Sequence, residues 1–286
     1  MSSFVTGARG FLGTALCHAL RMNGEVIFTR PHGEAAQPIH PSVTTVYHLA
    51  AQTSAYAAQA HPLMDLASNL TEFVALLEEL RHLPQSPFLV FASTATIAGV
   101  VPTLPITEQT PADPTTFYDV SKFCAEQYLL QYIREGWLRG CILRFTNIYG
   151  PCPPSQAEDR GIVNKLVARA KAGQALTCYG TGEYWRDYLY LDDAVTALRA
   201  ATAFPIRTSG RMFYVAAGRS MLLRDVFELV KRLVNPSIEI QTVPVPPGLY
   251  PIEWRHVQVN PAAFEAATYW RAEWTVEDGI REMAAR

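Results

Sequence analysis

Two rhythms of apolar residues alternate along the first half of the chain. Short continuous runs at residues 3–5, 25–29, 45–50, 88–92 and 140–145 predict buried β-strands, the second of them ended by Pro31 and Gly33. Between them, residues 14–22, 63–80 and 117–134 repeat their apolar positions at helical spacing. Strands buried on both faces and separated by helices predict an α/β fold: a doubly wound parallel sheet covered on both sides. Beyond about residue 150 the texture changes. Pro151, Cys152, Pro153 and Pro154 make a loop, residues 161–172 and 222–233 read as helices, and short strands fall near Thr177 and Tyr188. Residues 214–216 read as a return strand, and residues 243–251 are rich in proline. The second half is therefore expected to be a smaller mixed lobe woven into the last sheet elements.

Charge narrows the partners. The 286 residues carry 24 basic and 26 acidic side chains, a net charge of −2. No basic field is present to hold nucleic acid or an anionic membrane, so phosphate recognition must be local. No window approaches the run of about 20 apolar residues that a membrane span needs. A strand begins almost at once, without the basic and apolar regions of a signal peptide, so none is expected. The five cysteines (17, 124, 141, 152 and 178) are odd in number and lack a C-x-x-C pair. They read as reduced thiols in a cytoplasmic protein, with no metal site.

Candidate chemistry begins at Thr6-Gly7-Ala8-Arg9-Gly10-Phe11-Leu12-Gly13, between the first strand and the first helix. Gly7 permits a tight turn, Gly10 lets backbone approach a pyrophosphate, and Gly13 lets the helix lie against the sheet. The helix amino end then offers N–H groups and partial positive charge to phosphates. Tyr118 and Lys122 follow at Y-x-x-x-K spacing at the start of a helix, which puts both on one face. A lysine one turn away favours the phenolate and makes the tyrosine a usable acid or base. Ser93, Thr94 and Thr96 place hydroxyls at the end of a strand, where open parallel sheets bind ligands.

Together these residues resemble the extended short-chain dehydrogenase/reductases, in particular the nucleotide-sugar epimerase/dehydratase family. The resemblance extends through His48-Leu49-Ala50-Ala51, His61-Pro62 and Asn69, Glu108 and Pro111, residues 144–151, Tyr179 to Gly182, Arg186-Asp187, Asp192-Asp193 and Gly218-Arg219-Ser220. It implies a Rossmann-type domain at 1–150, with 188–218 contributing, and a nucleotide-sugar lobe at 151–286. It also implies roles. Tyr118 is the acid/base, Lys122 steadies it and the nicotinamide ribose, and Thr94 hydrogen-bonds the reacting sugar oxygen. Phe11, Leu12, Leu49, Ala50 and Ala51 line the cofactor. Thr96 and Asn147 face the substrate, and Arg186 and Arg255 hold its diphosphate. Asp192 and Asp193 are expected as helix N-caps.

Three departures shape the expectation. First, little sequence separates the second strand from His48, so the sheet is expected to be a strand narrower and the adenine contacts altered. Second, the second strand ends Phe28-Thr29-Arg30, without the carboxylate that an NAD enzyme of this type carries there. Arg30, helped by Arg9, suits the 2′-phosphate of NADP, although NAD with Arg30 as a mere strand-end residue stays open. Third, no carboxylic acid follows Thr94, which argues against a 4,6-dehydratase. The favoured reading is an NADPH-dependent 4-ketoreductase acting on a nucleotide-linked sugar. The alternatives are an NAD-retaining 4-epimerase, a cousin acting on a neutral small ketone or alcohol, and a non-catalytic cofactor sensor on the same fold. Broad apolar faces on residues 63–80 and on the Tyr118 helix imply a homodimer through a helix bundle.

Overall fold

A computed structural model describes residues 2–30, 38–152, 161–247 and 254–286. Pro31, Gly33, Pro153, Pro154 and residues 248–251 of the proline-rich stretch lie outside the described residues. Six strands form the central sheet: β1 (Ser2–Thr6), β2 (Val26–Thr29), β3 (Thr45–His48), β4 (Phe88–Thr94), β5 (Arg139–Phe145) and, returning late, Met212–Val215. Every pairing is parallel, in the order β2-β1-β3-β4-β5 and then Met212–Val215. Among the described residues β2 is the sheet edge, so the strand expected to be missing is absent there.

Neighbouring residues on each strand feed opposite cores, as the pleat requires. Val5, Tyr47, Val90 and Leu143 face α1 (Phe11–Met22) and a later helix, Leu191–Ala203. Phe4, Val46, Leu89 and Ile142 face the other way, against Glu72–Arg81 and Phe117–Arg134. A strand buried on both faces can afford no alternation of polar residues, which is why these runs are continuously apolar.

The run 63–80, expected as one helix, is three pieces. After α2 (Ala55–Ala60) come α3 (Pro62–Leu66, proline in its first turn), a wide π turn at Ala67–Thr71, and α4 (Glu72–Arg81). The π turn carries buried Asn69, whose side-chain amide donates to Gln52 O at 3.0 Å and Asp65 Oδ1 at 2.9 Å. Helix α5 (Phe117–Arg134) starts on a capping box in which Thr116 and Asp119 satisfy each other's backbone N–H groups.

The lobe holds β6 (Asn147–Tyr149), α6 (Ile162–Lys171), β7 (Leu176–Tyr179), β8 (Trp185–Arg186) and β9 (Tyr188–Tyr190). α7 (Leu191–Ala203), α8 (Pro205–Thr208) and β10 (Met212–Val215) lead back through the sheet. β11 (Met221–Leu222), α9 (Leu223–Val234), β12 (Ile240–Val243), α10 (Ala262–Thr268) and α11 (Val276–Ala285) complete the chain. Helices α6, α9 and α11 pack into a second core around Leu166, Phe227 and Ile280. Asp192 and Asp193 are not N-caps: Tyr190 holds that position, and both acids lie in the first turn of α7. Asp193 instead accepts from Glu273 N and Trp274 N, at 3.0 Å each, and so pins the segment that leads into α11.

Candidate active site

Chain order puts β2 on one side of β1 and β3 on the other, so the sheet's switch point lies between β1 and β3. Ligands of open parallel sheets bind at that point, beyond the strand ends. The Gly7 turn sits there, packed on the end of β3. A Cβ on Gly7 would lie 2.6 Å from Ala50 N and 2.7 Å from Leu49 C, and φ is +68°. One on Gly13 would lie 2.1 Å from Gly7 O. One on Gly10 would meet only Gly7 O, at 3.1 Å, and would otherwise point into open space. No side chain caps the amino end of α1, and its first turn holds no acid. A cradle closed by Gly7 and Gly13, open above Gly10 and capped by a helix amino end, fits a pyrophosphate. Arg9 is exposed beside it.

The end of β4 and the start of α5 bring Thr94, Thr96, Tyr118 and Lys122 together. The half-buried Tyr118 hydrogen-bonds Thr94. Thr94 Oγ1 lies 2.7 Å from Thr96 Oγ1. Lys122 is buried, donates to Ala92 O at 2.7 Å and lies 4.0 Å from the centre of the Phe91 ring. Burial pushes the Lys122 ammonium down to about 7, against the pull of the Glu126 and Asp65 carboxylates. The phenol of Tyr118 is pushed up, first by burial and then by the charge of Asp119, with Asp65 adding to it and the Thr94 bond opposing. This corrects the expectation of a lowered phenol: with the ammonium turned to a carbonyl, the protonated form is favoured.

Behind this pair lies a buried ion pair that belongs to no motif singled out in the sequence. Arg144 on β5 donates to Glu126 through Nε (2.9 Å) and Nη2 (2.6 Å), and Ser93 donates to the same carboxylate at 2.5 Å. Glu126 stands four residues beyond Lys122, as Lys122 stands four beyond Tyr118, so all three share one face of α5. That spacing was the available signal. Asp119, also missed, brings a carboxylate to Thr96, whose hydroxyl donates to its Oδ1. An acid therefore does reach the segment after Thr94, from the first turn of α5 and not from the residues that directly follow Thr94.

His48 is buried. Thr6 Oγ1 accepts from Leu49 N and Ala50 N, so its single proton goes to His48 Nδ1 at 2.9 Å. Burial, reinforced by Lys122, drops its pKa to about 3.

The candidate substrate arginines meet each other. Arg186 donates to Arg255 O, and Arg255 donates to Thr96 O (3.2 Å) and Gly99 O (2.9 Å), next to the Thr94 cluster. The carboxylate of Asp187 faces Thr146 Oγ1 and Ala217 N, each at 2.9 Å. Asn147 is exposed, and its amide nitrogen donates to Asp187 O at 3.0 Å. At the end of β2, Arg30 forms a two-pronged bond with Glu79 (2.9 and 2.8 Å), which also accepts from Ile39 N. All five cysteines are free thiols, and no cluster of metal-ligating side chains occurs among the described residues. No helix among them is long and apolar enough to cross a membrane.

A glycine cradle at the switch point, with a tyrosine and a lysine one helical turn apart beside a strand-end threonine, defines an extended short-chain dehydrogenase/reductase. The chain belongs to the NAD dependent epimerase/dehydratase family, whose pattern matches residues 3–216. It is 28% identical over 296 residues to the GDP-6-deoxy-D-mannose reductase of Pseudomonas aeruginosa, covering 98% of this chain and 95% of that one. It is 23% identical to the UDP-glucose 4-epimerase of Mycolicibacterium smegmatis, covering 98% and 96%. The match to a putative UDP-glucose 4-epimerase of Methanocaldococcus jannaschii, 24% identical, spans 68% of this chain but only 62% of that protein. Among solved structures, RMD of Pseudomonas aeruginosa complexed with NADPH superposes with a TM-score of 0.83 at 27% identity, covering 99% and 98% of the two chains. The NAD complex of the Thermus thermophilus UDP-glucose 4-epimerase gives 0.84 at 26%, covering 100% and 98%.

Proposed function

We propose that this chain reduces the keto group of a nucleotide-linked sugar, using NADPH, with Tyr118 as the proton donor. The observation that carries this reading is the geometry at the start of α5, where Tyr118 and Lys122 stand one helical turn apart against the end of β4 with its Thr94 and Thr96 hydroxyls. Burial and the neighbouring Asp119 keep Tyr118 protonated, the state in which it can hand a proton to a developing alkoxide. Gly7, Gly10 and Gly13, with Phe11 and Leu12 at the amino end of α1, would hold the pyrophosphate, and Leu49, Ala50 and Ala51 would line the nicotinamide side. Lys122 would bond the ribose, and Arg9, Thr29 and Arg30 would meet the adenosine end. When bound, the nicotinamide supplies the hydride. Thr94 and Thr96 would orient the sugar, with Asn147 beside it, and Arg186 and Arg255 would hold the diphosphate.

This reading assigns residues 1–150 and 188–218 to the cofactor and the rest of 151–286 to the sugar nucleotide, in a cytoplasmic homodimer. Exposed Tyr56, Leu63, Met64, Phe117, Val120 and Tyr128 on α2, α3 and α5 support the dimer. The test is NADPH oxidation by the purified protein with a nucleotide-linked 4-keto sugar. Tyr118→Phe should cost about 10²–10⁴-fold in turnover. Net oxidation that survives this substitution in full refutes the assignment.

One observation favours a second reading. Glu79 holds the guanidinium of Arg30 and sets a carboxylate beside the place where a 2′-phosphate would sit, which suits NAD. An NAD-retaining 4-epimerase would then be the activity. Retained cofactor in the purified protein, with interconversion of sugars and no net change in NAD(P)H, would select it.

A further inference from the structure

We propose that Asp65 is a positioning residue, which holds the chain segment beside the nicotinamide at a fixed distance from Tyr118. The inference rests on the proposed function, in which Leu49, Ala50 and Ala51 line the nicotinamide and Tyr118 gives the proton.

Helix α3 is packed inside out. Its Leu63, Met64 and Leu66 are exposed, and the residue it buries is Asp65, at 2% exposure. A carboxylate is costly to take out of water unless hydrogen bonds meet it. Two do so here: Asp65 Oδ1 accepts from Gln52 Nε2 and from Asn69 Nδ2, at 2.9 Å each. Both donors are neutral amides, so the carboxylate joins two stretches of chain.

One stretch is the end of the nicotinamide segment, since Gln52 follows Ala51 directly. The other is the π turn Ala67–Thr71, a kind of turn found often at functional sites. Asn69 in that turn binds the backbone of Gln52 twice, accepting from its N–H at 2.9 Å and donating to its carbonyl at 3.0 Å. Asn69 also donates to Ser121 Oγ at 3.2 Å, and Ser121 donates to Tyr118 O at 3.0 Å. The bonds therefore run from the nicotinamide segment through Asp65 and Asn69 to the start of α5. On its far side the same segment meets the glycine turn, where a Cβ on Gly7 would lie 2.6 Å from Ala50 N. Residues 49–51 are thus clamped between the glycine turn and the tyrosine helix, and Asp65 orients both amides that form the second jaw.

Asp65 can act in two ways. Its oxygen orients the two amides, and its charge is felt at Lys122 and Tyr118. The role proposed is the first. Asp65→Asn separates the two, because it keeps an oxygen for both amides and drops the charge, whereas Asp65→Ala drops both. Amide hydrogen exchange on the ligand-free protein reads the clamp without cofactor or substrate. Exchange at residues 50–52 should be at least about tenfold faster in Asp65→Ala and within about threefold of wild type in Asp65→Asn. Turnover of a nucleotide-linked 4-keto sugar should follow the same order. For Asp65→Ala, kcat should fall at least about tenfold with KM for the sugar within about threefold, and Asp65→Asn should stay near wild type. Gln52→Met cuts the clamp from a half-buried position and should change exchange and kcat in the same direction, so it takes the place of Asp65→Ala should that protein not fold.

The proposal is overturned if the variant that cuts the clamp leaves either exchange or kcat unmoved. It is equally overturned if Asp65→Asn loses as much kcat as that variant, which would make Asp65 a charge acting through space. A wild-type protein that turns over no nucleotide-linked sugar removes the proposed function. The role of Asp65 is then decided by the exchange rates and by the emission of bound NADPH or NADH, which reports how firmly the ring is held. That emission should fall in Asp65→Ala and persist in Asp65→Asn, and equal emission in wild type and both variants overturns the proposal.

Discussion

Replacing Glu126 with alanine would strip the carboxylate that, among the described residues, pairs with the buried guanidinium of Arg144. Their side chains are 1% and 4% exposed, so water cannot take over. Three bonds vanish: Nε at 2.9 Å, Nη2 at 2.6 Å and the Ser93 hydroxyl at 2.5 Å. What remains for Arg144 is Nη1 to the Tyr214 hydroxyl, at 3.0 Å, and the face of that ring. Leaving a buried charge unpaired costs about 3–5 kcal/mol. For a chain of this size that is a fall in Tm of roughly 6–20 °C, at about 2–4 °C per kcal/mol. The double variant Glu126→Met/Arg144→Met removes the charge together with its partner and should recover most of the loss, because paired burial is close to neutral against apolar packing. Thermal and denaturant unfolding of the two singles and the double measure this coupling. A Glu126→Ala protein within about 1 kcal/mol of wild type, or a double variant no more stable than the singles, would refute the reasoning. A second effect travels along α5. The Glu126 carboxylate supports the charge on Lys122, already depressed to about 7, so its removal should lower the lysine further and deepen its neutrality at physiological pH.

Gly13→Ala would drive its Cβ to 2.1 Å from Gly7 O, where only backbone movement gives relief, and should weaken NADPH or NADH binding by at least about tenfold in a fluorescence titration. Buried His48, with its folded pKa near 3, binds fewer protons than its unfolded counterpart between about pH 6.5 and 3. Stability should therefore fall as pH drops through that window, and Tm against pH should lose part of this slope in His48→Phe. Glu79→Gln takes the carboxylate away from Arg30 and should raise the NADPH-to-NADH preference, whereas Arg30→Ser should lower it; equal preference in all three proteins would remove Arg30 from the cofactor site. Leu63 is 81% exposed on α3, and if the proposed dimer forms through this face Leu63→Asp should run as a monomer in size-exclusion chromatography while wild type runs as a dimer.

How much of this was legible in the sequence follows from how far each interaction reaches along the chain. Strands β1, β3, β4 and β5 are read from apolar runs because burial on both faces leaves no room for another pattern. The Gly7 turn is plain from its spacing alone, with Gly10 and Gly13 meeting Gly7 O inside the turn, whereas the Leu49 and Ala50 backbone that crowds Gly7 is brought there only by the fold. The break in the run 63–80 was hidden, because a π turn keeps helical apolar spacing while Asn69 reaches sideways to Gln52 and Asp65. β12 pairs with β7 across more than fifty residues, and its Ile240-Gln241-Thr242-Val243, though rich in strand formers, is too short a run to be read without that partner. The same holds for charge. Arg30 read as a phosphate ligand because its partner Glu79 lies 49 residues away, on a helix that only the fold brings to the end of β2.

The candidate site shows the principle most sharply at α5. Tyr118 and Lys122 are visible as a spaced pair, and the lysine seemed bound to pull the phenol toward its ionised form. In the sequence the lysine is the cation at helical spacing. Folding adds a backbone carbonyl that takes the ammonium and a ring beneath it, and it brings the carboxylate of Asp119, the residue after Tyr118, onto Thr96. Desolvation then outweighs attraction on both groups, moving lysine toward its neutral form and tyrosine toward its protonated one. A pair that looks like a base activated by a cation is, within this fold, a phenol held protonated beside a weakened ammonium.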